Sequence, residues 1–161
     1  MRGGALPPAL LLASLALALA FEAPRIRIWS LVALAGTLAA LSWMPPPRDW
    51  LEIAFLGCWT SMAGTAAAVH LPRGLGLAGS VTLSINAGLW ASAVVGLAGS
   101  PPDILKALAA LLLMLPARWL IARRGAIAVK VASSWLIAIA VLAGALPFLS
   151  VTPGYLPDHL E

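Results

Sequence analysis

The residues of this sequence that recur with the most regular spacing are small, and they favour close contact between helices. Glycine or serine occupies every fourth position from residue 76 to residue 100. Residues four apart lie along one ridge of an α-helix, and small side chains there let a second helix approach closely. The series therefore predicts a helix-packing ridge, against another helix of this chain, a second copy or another protein. Its members, the small-residue ridge below, are Gly76, Ser80, Ser84, Gly88, Ser92, Gly96 and Ser100.

Asn86 is the most polar residue of the same apolar segment and lies near its middle. A buried amide has to be hydrogen-bonded, so we expect Asn86 to link neighbouring helices. The alternative is that Asn86, with Thr82 and Trp90, contacts a small solute in a polar cavity.

The sequence does not gather the residues that catalysis or metal binding would need. His70 and His159 fall at opposite ends of the expected bundle, which disfavours a haem or zinc site. We expect no histidine near the depth of Ser84, Ser133 or Ser134 to act as their base. The glycine-rich string at 74–79 opens an apolar segment instead of following a strand, so it does not indicate nucleotide binding. We therefore predict a protein that is not an enzyme and holds no metal or other cofactor.

The composition indicates a protein that lives in a lipid bilayer. Hydrophobic residues make up 61% of the 161, charged residues only 10%, and the mean hydropathy is +0.97. A soluble domain carries about 25% charged residues. The basic residues are scattered at the ends of apolar runs instead of clustering on one face, so nucleic acid is not an expected partner.

Six apolar segments approach the length of about 20 residues that a membrane-spanning helix needs. They are Ala5–Phe21, Ile28–Met44, Trp50–Leu71, Leu75–Ala98, Ile104–Ala122 and Ala126–Val151. Isolated strands could not satisfy their backbone in lipid. The predicted fold is all-α, a polytopic transmembrane helix bundle of about six spans with very short loops. Residues 1–151 form its single domain, and residues 152–161 a short extracytoplasmic tail.

The breaks between segments contain signals for helix ends. Ser100 followed by prolines and Asp103 predicts a capped helix start. Asp49 with Glu52 three residues later predicts a second one. Pro116 leaves a backbone carbonyl without its partner and predicts an irregularity in the fifth segment.

Orientation follows from the basic residues, because short cytoplasmic loops are enriched in lysine and arginine. One side of a six-span bundle would hold seven of them: Arg25, Arg27, Arg73, Arg118, Arg123, Arg124 and Lys130. The other side would hold Arg2, Arg48 and Lys106. This split predicts a multi-pass protein of the plasma (inner) membrane with both termini extracytoplasmic.

The first segment also resembles a secretory signal, since an apolar run ends in small residues before Phe21. Cleavage there would leave five spans and put the seven-residue basic set outside, against the charge rule. We therefore expect the segment to be retained.

Two functions fit these features. The first is a non-catalytic integral membrane protein that acts through helix–helix association, as an accessory or structural subunit of a membrane assembly. Its partners would be the lipid bilayer and a membrane protein or a second copy of the chain. The alternative is a small-solute permease, or the membrane-embedded substrate-binding component of a transporter.

The topology can be tested with a reporter that is active only in the cytoplasm. Fused after Glu161, it should be inactive, because six spans with cytoplasmic odd loops place the carboxyl end outside. Fused into the turn at 123–125, the same reporter should be active. Activity at Glu161 would contradict the predicted orientation.

Overall fold

The apolar segments of the sequence fold as helices in the computed structural model, which describes residues 5–43, 46–72 and 74–148. They are α1 (Leu6–Ala20), α2 (Pro24–Ser42), α3 (Leu51–Ala68), α4 (Gly76–Ala98), α5 (Pro101–Ala109), α6 (Met114–Ala122) and α7 (Ala126–Ala145). Short 3₁₀ turns cover Arg48–Trp50, Ala110–Leu113 and Leu146–Phe148. The turn at 110–113 joins α5 to α6 without a break, so the described residues form six helical segments. The all-helical class is confirmed.

Four stretches of the described chain are long and apolar enough to cross a membrane. They are Pro24–Ser42, Gly76–Ala98, Pro102–Ala122 and Ala126–Phe148. The first helix, α1, is apolar but has only 15 residues, about 22 Å at ~1.5 Å per residue. The predicted tail at 152–161 lies outside the described residues.

The short helix α1 lies at the centre of the fold. Twelve of its 15 residues are buried, and they occupy every side of the helix. It packs against α3, α4, α5, α6 and α7, which surround it. A helix that is apolar all round is one that other elements enclose. The hydroxyl of its one buried serine, Ser14, donates to the carbonyl of Leu11 at 2.7 Å, so the serine needs no partner outside α1.

The second helix, α2, lies outside this ring and packs chiefly against α4. Only Arg27, Ser30 and Leu34 of its 19 residues are buried. It begins at Pro24, four residues before the predicted start at Ile28, because proline is well suited to the first turn of a helix. The predicted loop residue Arg27 therefore belongs to the helix.

The turns after α1 and α3 meet at one end of the bundle, which we call the Glu22 end. The Glu22 carboxylate accepts a hydrogen bond from the backbone N–H of Leu75 at 2.7 Å. Gly74 has a φ of +70°, and a Cβ there would lie 2.9 Å from the same carboxylate. Glycine is thus required at this turn both for its backbone and for the close approach of Glu22. The opposite end, where the chain passes Pro46 and Gly99, is called the Pro46 end.

The predicted cap before α5 is confirmed. Both the N–H and the hydroxyl of Ser100 donate to the Asp103 carboxylate, at 2.9 and 2.8 Å. The other carboxylate oxygen accepts from Lys106 at 2.8 Å. This arrangement satisfies donors at a helix start that would otherwise be unpaired.

The predicted cap before α3 is wrong. The chain first makes a 3₁₀ turn over Arg48–Trp50, so α3 begins at Leu51 with Trp50 in the capping position. Asp49 then lies one residue too early to cap the helix, and Trp50 has no side-chain oxygen to do so.

Pro116 coincides with the irregularity that its sequence position predicts. Proline has no N–H for the carbonyl four residues earlier, which belongs to Leu112. That carbonyl falls within the 3₁₀ turn Ala110–Leu113, where the chain tightens before continuing as α6. The helix therefore tightens into a 3₁₀ turn here and then continues, instead of ending.

Replacement of a central α1 side chain should destabilise the whole bundle. Leu15 is fully buried, so Leu15→Ala would leave a cavity and lower the free energy of unfolding by about 2–5 kcal/mol. The matched control is Leu112→Ala, because Leu112 is exposed on the outer surface. Thermal and chemical unfolding in a mild detergent measure both variants. Equal losses for the two would show that α1 is not enclosed.

Candidate functional site

The middle of the small-residue ridge lies inside the fold, where α4 meets α2. Ser80, Ser84 and Gly88 are buried. A Cβ built on Gly88 would lie 3.0 Å from the Thr37 Cβ and 3.3 Å from a methyl carbon of Leu34. The Thr37 hydroxyl donates to the carbonyl of Ala33 within its own helix, at 2.8 Å. At this level, therefore, carbon atoms of α2 lie directly against the α4 backbone.

The other members of the ridge have different surroundings. Ser92 is half-buried, and Gly96 is exposed with Pro46 3.4 Å from where its Cβ would be. Gly76 is exposed, has nothing within 4 Å of a Cβ, and has a φ of +65°. Its glycine is explained by backbone conformation at the start of α4 instead of by packing. Ser100 is the cap of α5.

Asn86 connects α4 to α3. Its amide nitrogen donates to the hydroxyl of Ser61, and its oxygen accepts from the indole N–H of Trp90 at 3.0 Å. The Trp90 ring occupies the space that a side chain at Gly57 would fill. Thr82 is exposed, and it does not join this network. The three residues named for solute contact are therefore not gathered around one point.

A second polar contact joins α3 to α7 at the Glu22 end. The buried Ser133 hydroxyl donates to the carbonyl of Ala66 at 2.5 Å. The neighbouring Ser134 hydroxyl lies 3.4 Å from His70 Nε2, so the expectation that no histidine lies near these serines is wrong. Antiparallel packing of α3 on α7 brings the two together. Since Ser134 also donates to the carbonyl of Lys130 at 3.1 Å, its proton is directed away from His70 in this geometry.

Sequence reasoning missed a group of buried polar atoms that have no hydrogen-bond partner among the described residues. They are Arg27 Nη1 and the hydroxyls of Ser30, Thr65, Ser80 and Ser84. Arg27 and Ser30 are three residues apart, as neighbours on one helix face are. That spacing, with Leu34 four residues further on, could have indicated a buried face of α2.

Among residues 5–43, 46–72 and 74–148, no three His, Cys, Asp or Glu side chains are close enough to hold a metal ion. Over the same residues the chain is all-helical and has four helices long and apolar enough to cross a membrane. Contacts of small residues and hydroxyls join these helices to their neighbours. Comparisons with protein-family models, curated proteins and solved structures give no match to the chain.

The contact at Gly88 can be tested by adding a side chain. Gly88→Leu should lower the free energy of unfolding by about 1–3 kcal/mol, because the new atoms would overlap Thr37. Gly88→Ala should cost less, since a shift of Thr37 by a few tenths of an ångström accommodates one methyl. Gly64→Leu is the control, because nothing lies within 4 Å of a Cβ there. An unchanged unfolding temperature for Gly88→Leu would mean that this part of α4 faces lipid.

Proposed function

We propose that the chain is a six-span, multi-pass protein of the plasma (inner) membrane that acts through helix–helix association. In this proposal it is a non-catalytic accessory or structural subunit of a membrane assembly. The observation that carries the proposal is the uncovered outer face of α2.

Between residues 35 and 40 the outer face of α2 consists of small residues, although the exposed Val32 one turn earlier is larger. Its exposed residues Ala35, Gly36, Ala39 and Ala40 recur at the three- and four-residue spacing of a single helix face. No atom lies within 4 Å of a Cβ built on Gly36. Small residues on a lipid-facing surface fill little volume, whereas they permit the backbone of another helix to come close. This geometry supports a partner helix on α2.

The position of α2 in the fold suits that role. It packs on the bundle chiefly through α4, so its opposite side is open to neighbours. Trp43 at the Pro46 end of the same face is 86% exposed. Tryptophan is common where membrane helices meet the interface, and it is also enriched at protein contacts. We propose a helix of a different membrane protein as the occupant.

The six-span arrangement belongs to the same proposal. The enclosed α1 is shorter than the ~30 Å hydrocarbon core, but its surrounding helices would separate it from lipid. With cytoplasmic odd loops, the Glu22 end would face the cytoplasm.

The association can be tested by blocking the small face. Gly36→Leu should abolish copurification of the partner in mild detergent, because the added side chain holds the backbones apart. The unfolding temperature of the isolated chain should stay unchanged, since Gly36 contacts nothing within it. Gly64→Leu, an exposed glycine of α3, is the matched control and should keep the partner.

Mass spectrometry of the purified complexes measures the result. Retention of the same partner by Gly36→Leu, or the absence of any stoichiometric partner of the unaltered chain, would contradict the proposal. If the partner is a second copy of the chain, an accessory role toward another protein would be contradicted.

A solute-binding or permease role is the second candidate, and one observation favours it. A cavity of about 260 Å³ at the Pro46 end is lined mainly by apolar side chains, and its lining also includes Trp90 and Ser92. Such a site would suit a small apolar or aromatic solute. The two candidates differ in that solute uptake would survive Gly36→Leu, whereas association would not.

A further inference from the structure

Arg27 is the one charged residue that is buried among those the structure describes, with 7% of its surface exposed. Its Nη1 has no hydrogen-bond partner there. An unpaired charge is expensive to bury, and proteins normally supply a counter-charge or a full set of hydrogen bonds. The guanidinium of Arg27 therefore has an unmet requirement for an acceptor.

Three hydroxyls also lack a hydrogen-bond partner, and they lie on α2 and α4. These two helices pack against each other along what we call the α2–α4 seam. Ser30 is on α2, one turn after Arg27, and Ser80 and Ser84 are on α4. All three side chains are fully buried, and their hydroxyl oxygens have no partner among the described residues. A serine hydroxyl can donate a hydrogen bond, so all three could donate to one shared acceptor.

The register of α2 on α4 places the three serines along the same two-turn stretch near the Glu22 end. Trp29 and Ala33 of α2 line a groove together with Leu77 and Val81 of α4. Nearer the Pro46 end, Gly88 meets Leu34 and Thr37. Both helices begin at the Glu22 end and run side by side, and Ser30 lies within the first of these contacts, between Trp29 and Ala33. Ser80 lies within the same contact on α4, and Ser84 lies one turn further along α4, before Gly88.

The electrostatic surroundings of Arg27 are also positive. The charge of Arg118, on α6, is close enough to repel that of Arg27. The amino ends of α2 and α4 both lie at this end, and the helix dipole makes each of them positive. The nearest acid along the chain is Glu22, whose carboxylate already accepts a hydrogen bond from the backbone N–H of Leu75. The one ion pair of the described ranges is Lys106 with Asp103, elsewhere in the fold.

From these observations we propose that Arg27, Ser30, Ser80 and Ser84 bind a phosphate group at the Glu22 end of the α2–α4 seam. A phosphate offers several acceptor oxygens and a charge that the guanidinium matches. The phosphate belongs either to a lipid headgroup, since Arg27 lies in the second turn of a membrane-length helix, or to a free phosphate. The site is independent of the small face of α2 and of the association proposed there.

The binding can be measured on the full chain in a non-ionic detergent. One arm adds dioleoylphosphatidylglycerol, with dioleoylphosphatidylcholine as the comparison lipid. The other adds inorganic phosphate against chloride at equal ionic strength. A rise in unfolding temperature with phosphatidylglycerol alone identifies a lipid headgroup, whereas a rise with inorganic phosphate identifies a free anion.

The variant Arg27→Gln should lower the affinity for whichever probe stabilises the unaltered chain by about tenfold or more, because a charged hydrogen bond is lost. Arg25→Gln is the matched control, because Arg25 is exposed two residues earlier and carries the same charge. It should change the apparent affinity less than about twofold, as expected for a screened surface charge.

Ser84→Ala gives a second test of the binding, one that does not require the Arg27→Gln variant to fold. Without a probe it should be at least as stable as the unaltered chain, because it removes an unpaired buried hydroxyl. With the probe it should show a smaller rise in unfolding temperature. The proposal is overturned if neither probe stabilises the unaltered chain, if the two arginine variants lose equal affinity, or if Ser84→Ala responds fully to the probe.

Discussion

The burial of α1 on every side is the constraint on which the arrangement of the other helices depends. Lipid tails are as apolar as leucine, so membrane helices gain little from the hydrophobic effect and associate through close packing. A short helix of leucine and alanine offers such packing to all of its neighbours at once. The surrounding helices need only one inward face each, and they expose large apolar side chains such as Trp135 and Val141 outward.

The exclusion of α2 from this ring explains the distribution of polar groups. A helix that packs on one neighbour has only a narrow strip of contact with the fold. Gly88 lets Thr37 and Leu34 of α2 come close to the backbone of α4 within that strip. Closer to the Glu22 end, Arg27 and Ser30 of α2 and two serines of α4 are buried with polar atoms that the described residues leave unpaired. The outer surface of α2 carries little side-chain volume between Ala35 and Ala40. One face of α2 therefore supports the anion-site proposal and the other supports the association proposal.

Much of the fold could be predicted from the sequence, because apolar length and proline-rich breaks determine where membrane helices begin and end. The Ser100–Asp103 cap was predictable for the same local reason. The central place of α1 was not, since hydropathy is similar in enclosed and lipid-facing helices, and a signal peptide would look the same. The Asp49 cap failed because a 3₁₀ turn, whose signal is weak, displaced the helix start to Leu51.

The candidate sites were less predictable than the helices. The small-residue ridge marks a seam in sequence, but only tertiary contacts distinguish the buried Gly88 from Gly76, which serves the backbone. The burial of Arg27 depends on the early start of α2, and the approach of His70 to Ser134 depends on how α3 and α7 pack. Such pairings join residues that are distant in sequence, and spacing alone does not encode them.

The enclosure of α1 can be measured directly by carbene photolabelling from within the bilayer. An apolar diazirine reagent labels side chains that face lipid, and tryptic cleavage separates α1, in the peptide 3–25, from α2, in the peptide 28–48. The buried surface of α1 predicts little or no label between Leu11 and Ala20, and heavy label on α2. Equal labelling of the two peptides would show that α1 faces lipid and would contradict the central role assigned to it.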